Sequence, residues 1–498
     1  MRRALALLLA VIALPSPAQD TLRIGSKRFT ESYILAHVIA RVAAPALPAA
    51  PEVREGLGNT AIVYAALRSG SVDLYPEYAG TISLEILRSP TPLSLDDMNK
   101  QLAPLGLGAA IPLGFNDGYA LAMRADEAKR LGIRTLSDFA KHPQLKLGLS
   151  NEFIGRSDGW PGLARAYALP QQPKGIDHGI AYDAITARQI DVMDIYTTDA
   201  KIDHLGLAVL EDDRRYFPRY DALLLYRLDV PRKFPQAWAA LRGLEGRIDE
   251  RAMIAMNARA ELQGQRFDAI ARDFLAGAPA APAARASLIE RVFGPDFARL
   301  TGQHLSLVAA SVGAACAIGI PLGVIAFPHR RSRAALLAFA GLLQTVPSIA
   351  LLAILIGLIG VIGIVPALIA LTLYSLLPIM RNCVTGLAEV PRGLRDAATA
   401  LGMTDSQSMR TVQLPIAAPT ILAGIRIATS IAIGTATIAA FVGAGGYGER
   451  IVTGLALNDS QLLLAGAIPS AALALISELV FALGERAMLR RWNSPPPR

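Results

Sequence analysis

The sequence predicts a two-lobed α/β domain followed by an all-α membrane domain of about five spans. Up to about residue 300, charged and apolar residues alternate as in a water-facing domain. Beyond it come apolar runs near the ~20 residues that cross a bilayer as a helix. The hydrophobic content, 52% of 498 residues, is too high for a wholly water-facing chain, and the excess lies in the second half. Within the first half, short apolar strands alternate with amphipathic helical stretches, the pattern of an α/β layer fold.

Met1-Arg2-Arg3, the apolar run 4–14 and Ser16-Pro17-Ala18 have the basic, apolar and small-residue regions of a secretory signal, so residues 1–18 are expected to direct export. No cysteine lies near a cut after Ala18, which argues against a lipid anchor; cleavage and an uncleaved signal anchor both stay open. The exported domain is expected over 19–275, with strands at 22–24, 120–123, 146–149, 192–195 and 223–226 and helices at 33–42 and 182–188. A first lobe from 20–112 and 218–275 and a second from 113–217 would leave a cleft between them. Residues 276–298 form a linker, Pro/Ala-rich and semi-stiff over 276–284.

The membrane domain, 299–490, contains spans at about 302–327, 336–358, 364–380, 419–442 and 462–483. With the first domain outside, Arg330, Arg331 and Arg333, the loop 381–414, and Arg486, Arg490 and Arg491 all fall inside, as the positive-inside rule requires. Many arginines thus sit at membrane edges and meet anionic lipid, so the net charge of +8 calls for no nucleic-acid partner. Cys316 lies in a span and Cys383 in an inner loop, which suggests no disulfide.

One inner loop carries Asp396-Ala397-Ala398, then Gly402, then Val412-Gln413-Leu414-Pro415. Good helix formers over 394–401, a glycine able to take positive φ, and prolines 415 and 419 that restart the chain read as helix, turn, helix. The spacing resembles the "EAA" loop of ATP-binding-cassette (ABC) importer permeases, with Asp for Glu at 396 and Val for Ile at 412 as conservative departures. That resemblance implies that Asp396, Ala397, Ala398, Gly402, Val412, Leu414 and Pro415 couple the membrane domain to a cytoplasmic ATPase.

The exported half carries Gly25-Ser26-Lys27-Arg28-Phe29-Thr30-Glu31, Gly56-Leu57-Gly58-Asn59-Thr60 and Asp73-Leu74-Tyr75-Pro76-Glu77-Tyr78-Ala79-Gly80-Thr81. Further on come Arg156-Ser157-Asp158-Gly159, Asp194-Ile195-Tyr196-Thr197-Thr198-Asp199, and Leu210-Glu211-Asp212-Asp213 leading to Phe217-Pro218-Arg219-Tyr220. These stretches resemble the solute-binding proteins of osmoprotectant importers, and Gly424-Ile425-Arg426 with the segment 441–446 is similar to the permease of the same family. The resemblance covers nearly the whole chain. It implies a periplasmic-binding-protein-like domain fused to an ABC importer permease.

The chemistry agrees with that class. Of 13 tyrosines, all but Tyr374 and Tyr447 lie in the exported half. A quaternary ammonium donates no hydrogen bond and is held best by the faces of several aromatic rings, each contributing about 0.5–2 kcal/mol. From the family's pattern the cage candidates are Tyr78, Tyr119, Tyr196 and Tyr220, with Thr81 at the edge. Lys27 is placed to meet a ligand carboxylate, and Asn59, Thr60 and Arg156 to donate hydrogen bonds. Lys27 and Arg156 read equally as members of surface ion pairs and Tyr75 equally as core; Glu77 and Asp199 are expected to hold loops.

No G-x-x-x-x-G-K-[ST] run occurs, so the ATPase is expected on a separate chain and the protein itself is not expected to be an enzyme. Neither metal-ligand spacing among the six histidines nor a Ser, His, Asp set is recognisable, and no cofactor is expected. His304 reads as interfacial, and Glu478, a charge within the last span, as paired with an arginine or placed at a dimer seam. Five spans are too few for a full pathway, which predicts a homodimer. The expected function is import of glycine betaine, choline, carnitine or a similar amine across a bacterial inner membrane. Ergothioneine or another small polar solute, and a membrane-tethered sensor that transports nothing, are the alternatives.

Overall fold

The computed structural model describes residues 21–277, 287–457 and 459–493, with side chains up to residue 486. The signal segment 1–18, most of the Pro/Ala-rich stretch and the side chains of Arg490 and Arg491 lie outside the described residues. The chain divides into two compact units, one taking residues up to 283 apart from Gly56–Gly58, the other the rest.

Among the described residues the first unit contains ten strands: β1 (Arg23–Gly25), β2 (Glu52–Arg54), β3 (Leu74–Tyr78), β4 (Leu107–Ala110), β5 (Tyr119–Arg124), β6 (Leu147–Ser150), β7 (Lys174–Ile176), β8 (Val192–Tyr196), β9 (Leu207–Val209) and β10 (Ala222–Arg227). They form two sheets, β2-β1-β3-β10-β4 and β7-β6-β8-β5-β9. The connections β4 to β5 and β9 to β10 are the two crossings between sheets, and they meet in an isolated bridge between Asn116 and Asp221. The two lobes expected from the sequence are these two sheets with their helices. In each, one antiparallel strand lies among parallel ones: β10 against β3 and β4, and β5 against β8 and β9.

Burial explains why β3 forms despite Pro76. All five of its residues are buried, and Asp73 just before it takes the Arg23 backbone N–H and guanidinium at 2.8 Å each, fixing β3 against β1. The helix Thr30–Ala43 packs almost wholly inside, with Tyr33, Ile34, Leu35 and Val38 fully buried. Tyr75, left open between core and ligand, is core.

Among the described residues of the second unit four helices are long and apolar enough to cross a membrane: Phe297–Ala326, Ile364–Glu389, the continuous run Asp405–Val442, and Ser460–Arg486. Ile364–Glu389 is the central one, with 61% of its apolar window buried against 22–33% for the others. The expected second span, 336–358, is not continuous. It is Arg330–Thr345 and Ser348–Ile359, bent by 99°. Pro347 lacks an N–H and disfavours helix at Val346, which breaks the run. The Tyr374 hydroxyl donates to the Val346 carbonyl exposed by the break.

Part of the stretch read as linker is also helical. Ser287 and Glu290 form a capping box on Leu288–Val292, and Phe297 already begins the first long helix. Arg291 pairs with Asp459, and Arg450 binds Asp296 at 2.8 Å together with the Val292 carbonyl at 2.8 Å. Those contacts bind residues 287–296 into the membrane unit. His304 is not interfacial; it is fully buried, with Nε2 3.1 Å from the Ile433 carbonyl and its ring 4.8 Å from that of Tyr447.

The EAA-like loop is a helix, Arg392–Ala400, ended by Gly402 at φ +76°. The Gly402 and Met403 N–H groups return to Thr399 and Ala398 carbonyls at 2.9 and 3.1 Å, a left-handed stop that a side chain would strain. The chain restarts earlier than prolines 415 and 419 suggested, at Asp405, under a Thr404–Gln407 capping box. Val412 then lies in a π turn, and Leu414 and Pro415 open the helix Leu414–Ala436. Asp396 and Ala397 are exposed while Ala398 is buried. Glu478 is paired within the chain, to Arg426 and, at 2.6 Å, to the Ser430 hydroxyl.

Candidate ligand-binding site

Between the two sheets of the first unit lies a small cavity of about 20 Å³, lined by Lys27, Phe29, Tyr78, Thr81, Asp117, Tyr119, Glu152, Arg156, Tyr196 and Tyr220. Strand register brings its rings together. Tyr119 opens β5 and Tyr196 closes β8, and the antiparallel pairing sets them opposite one another with centroids 5.1 Å apart. Tyr78 closes β3 opposite Ala222 of β10, and Tyr220 stands just before that strand, edge-on to Tyr119 at 5.6 Å. Gly80 makes room for it: a Cβ there would lie 2.5 Å from Tyr220 Cδ1.

Phe29, which the sequence reading left out, stacks on Tyr196 at 5.4 Å and lies 6.2 Å from Tyr78. Five aromatic rings therefore wall the cavity. Burial pushes the hydroxyls of Tyr78, Tyr119, Tyr196 and Tyr220 well up, so all four stay neutral and present ring faces and dipoles only.

Two cations stand among the rings, each already paired. Lys27 Nζ is 2.5 Å from Glu77 Oε1 and lies over the Tyr78 ring at 4.7 Å and that of Phe29 at 5.4 Å. Arg156 binds Asp158 with two parallel bonds, 2.8 and 2.6 Å, and lies over Tyr119 at 5.4 Å. Both residues are buried, so neither is a surface ion pair. Asp158 also accepts from the Tyr220 hydroxyl at 2.8 Å, and Arg156 reaches Thr81 Oγ1 at 3.4 Å, across from one lobe to the other.

Of the nine ligand candidates, Lys27, Tyr78, Thr81, Tyr119, Arg156, Tyr196 and Tyr220 line the cavity. Thr60 does not; it is buried next door, 3.4 Å from Glu152. Asn59 stands outside because its side chain is spent as the N-cap of Thr60–Arg68, accepting from the Ile62 N–H at 3.4 Å while exposed. Asp117 and Glu152 line the cavity and were not foreseen.

Glu77 and Asp199 hold loops. Glu77 takes Lys27 and the Tyr78 N–H at 3.0 Å. Asp199 accepts from the Tyr182 hydroxyl at 2.6 Å and the Tyr196 N–H at 3.0 Å and faces His178 at 3.1 Å. Burial opposes charge on His178, but Asp199 outweighs it and holds the imidazole up at about 9.

A two-lobed domain with an aromatic-walled cavity, fused to a helical domain with an EAA-like loop, has the build of a transport subunit. Residues 20–277 match the family model described as the substrate binding domain of an ABC-type glycine betaine transport system. Residues 319–490 match the binding-protein-dependent transport system inner membrane component. The chain belongs to these families: it is a fused substrate-binding and permease subunit of an ABC importer, a multi-pass membrane protein with an N-terminal binding domain.

Among its relatives, the osmoprotectant import permease protein OsmW of Salmonella typhimurium is 46% identical over 183 residues, 36% of this chain and 85% of that protein. The ergothioneine transport permease/ergothioneine binding protein EgtU of Helicobacter pylori is 31% identical over 266 residues, covering 52% of this chain and 47% of that one. A solved structure described as a glycine betaine/carnitine/choline ABC transporter covers 51% of this chain and 98% of its own, at 25% identity and a TM-score of 0.45.

Proposed function

We propose that the first unit captures a quaternary ammonium solute and delivers it to the membrane unit for import. The observation that carries this reading is the cavity wall of five rings, Phe29, Tyr78, Tyr119, Tyr196 and Tyr220. Such rings suit a cation that cannot donate hydrogen bonds, at about 0.5–2 kcal/mol each. Glu77 pairs with Lys27, and Arg156 is shared between Asp158 and, at 3.8 Å, Glu152, so carboxylates on and behind the wall offset both cations. Lys27, Arg156 and Thr81 retain donors for a ligand carboxylate, which accommodates zwitterions such as glycine betaine and carnitine as well as choline. Ergothioneine carries the same trimethylammonium group and is the second reading, favoured by the likeness to EgtU over 266 residues.

A separate ATPase would dock at the inner loop, where Leu394 and Leu401 are 45% and 77% exposed beside Asp396 and Ala397. The residues Asp396, Ala397, Ala398, Gly402, Val412, Leu414 and Pro415 would transmit its stroke, and two copies in a bacterial inner membrane would complete the pathway. Titration calorimetry of the full chain in nanodiscs with glycine betaine, choline, carnitine and ergothioneine, each beside its tertiary-amine counterpart, tests this. Micromolar binding of a quaternary member, lost in Tyr196→Ala, is the expected result. No binding across the panel would leave the importer and remove the substrate class.

A further inference from the structure

Behind the cage lies a carboxylate that the capture of a cation does not by itself require. Glu31, in the first turn of the helix Thr30–Ala43, is 2% exposed. Its Oε1 accepts from the Tyr78 hydroxyl at 2.5 Å, and its Oε2 accepts from Thr198 Oγ1 at 2.6 Å and from Asn257 Nδ2 at 3.4 Å. Tyr78 belongs to the first lobe and to the cage wall. Thr198 belongs to the loop after β8, in the second lobe. Asn257 also donates to the Thr198 carbonyl at 3.0 Å, so two first-lobe side chains grip one residue of the second.

The same Thr198 hydroxyl lies 2.9 Å from Asp117 Oδ1, on the crossing segment and on the cavity wall. A hydroxyl has one proton to give. Between two carboxyl groups it satisfies one as donor, and the other must bring its own proton. The chain Asp117, Thr198, Glu31, Tyr78 therefore runs from one wall of the cavity, through both lobes, back to another wall.

We propose that Glu31 is a positioning residue that links lobe closure to the cage: it fixes the Tyr78 ring for the bound cation when Thr198 is seated against it. The proposal rests on the quaternary-ammonium reading and adds a proton linkage to it. Burial holds the Glu31 carboxyl up at about 7, and burial with the nearby Glu31 and Asp199 charges holds Asp117 well above the carboxylate range. The charged groups around this chain are Asp199 and His178 on the second lobe and Lys27, Glu77 and Glu261 on the first. A cation bound over Tyr78 favours the ionised form of Glu31 and lowers its pKa, so the cation binds more tightly above pH 7 than below it.

The test uses the full chain in nanodiscs, with choline and glycine betaine as probes at pH 6 and pH 8, and hydrogen exchange of the segment 192–199 without ligand. Wild type is expected to bind several-fold more weakly at pH 6, and Glu31→Gln to bind equally at both. Glu31→Ala and Thr198→Val are each expected to lose about tenfold at pH 8 and to expose 192–199 to exchange, leaving 288–292 protected. A pH slope kept in Glu31→Gln, or Glu31→Ala binding within twofold of wild type, overturns the proposal. If neither probe binds wild type, the substrate reading fails. The exchange arm then decides Glu31 alone, and unchanged protection of 192–199 in Glu31→Ala refutes its link to the second lobe.

Discussion

At the scale of single residues, the proposed cage depends on groups outside its wall. Gly80 is one. The Cβ of Gly80→Ala would stand 2.5 Å from the Tyr220 ring, so this variant is expected to keep its fold and lose at least about tenfold in affinity, read by titration calorimetry. His178 is another, and its effect depends on pH. Below about 6.5 the imidazole is charged in folded and unfolded chains alike, and its pairing with Asp199 stabilises in full. Between 6.5 and about 9 only the folded chain keeps the proton, so the contribution shrinks, and above 9 it is gone. Thermal melts of wild type should lose stability across that window relative to His178→Gln. Seven cavity residues were legible in the sequence chiefly because the stretches that carry them resemble the family's pattern; residue type alone left Lys27 and Arg156 open between ligand and ion pair. Phe29 and Glu31 were not, because an apolar residue before a helix and an acid in its first turn both read as ordinary helix starts.

At the scale of elements, the sequence shows what alternates and hides what is short or buried on both sides. Strands β1, β5, β6, β8 and β10 were read within a residue or two, whereas β2, β7 and β9 have three residues each and no period to detect. β3 was missed because Pro76, Asp73 and Glu77 mask a run that is entirely inside. The broken second span escaped for the opposite reason: 336–358 has the length and apolarity of one helix, and only Val346-Pro347 marks the bend. Tyr374→Phe would leave the Val346 carbonyl unpaired among apolar helices and should cost about 1–3 kcal/mol, seen as a lower melting temperature in detergent. In the inner loop, a β-branched residue at φ +76° is strained, so Gly402→Val should abolish uptake in whole cells while ligand binding by the purified chain is unchanged.

At the scale of the whole molecule, the change in hydropathy near residue 300 was legible in the sequence, and the two families the chain matches fall on either side of it, over 20–277 and 319–490. The last helix has only 22% of its apolar window buried, with Leu475 72% and Val480 61% exposed, surface left for lipid or a second copy. Light scattering of the detergent-solubilised chain with its ATPase is expected to give two copies per complex; one copy would remove the dimeric pathway. The cavity itself sets a clock. With walls drawn from both lobes and room of about 20 Å³, on the order of a single water, the cavity as it stands is too small to hold a quaternary amine. Capture and release must both wait for the lobes to part. Association should therefore saturate with solute concentration at the opening rate instead of rising to the encounter limit, and residence time will be set by whatever pulls the lobes apart.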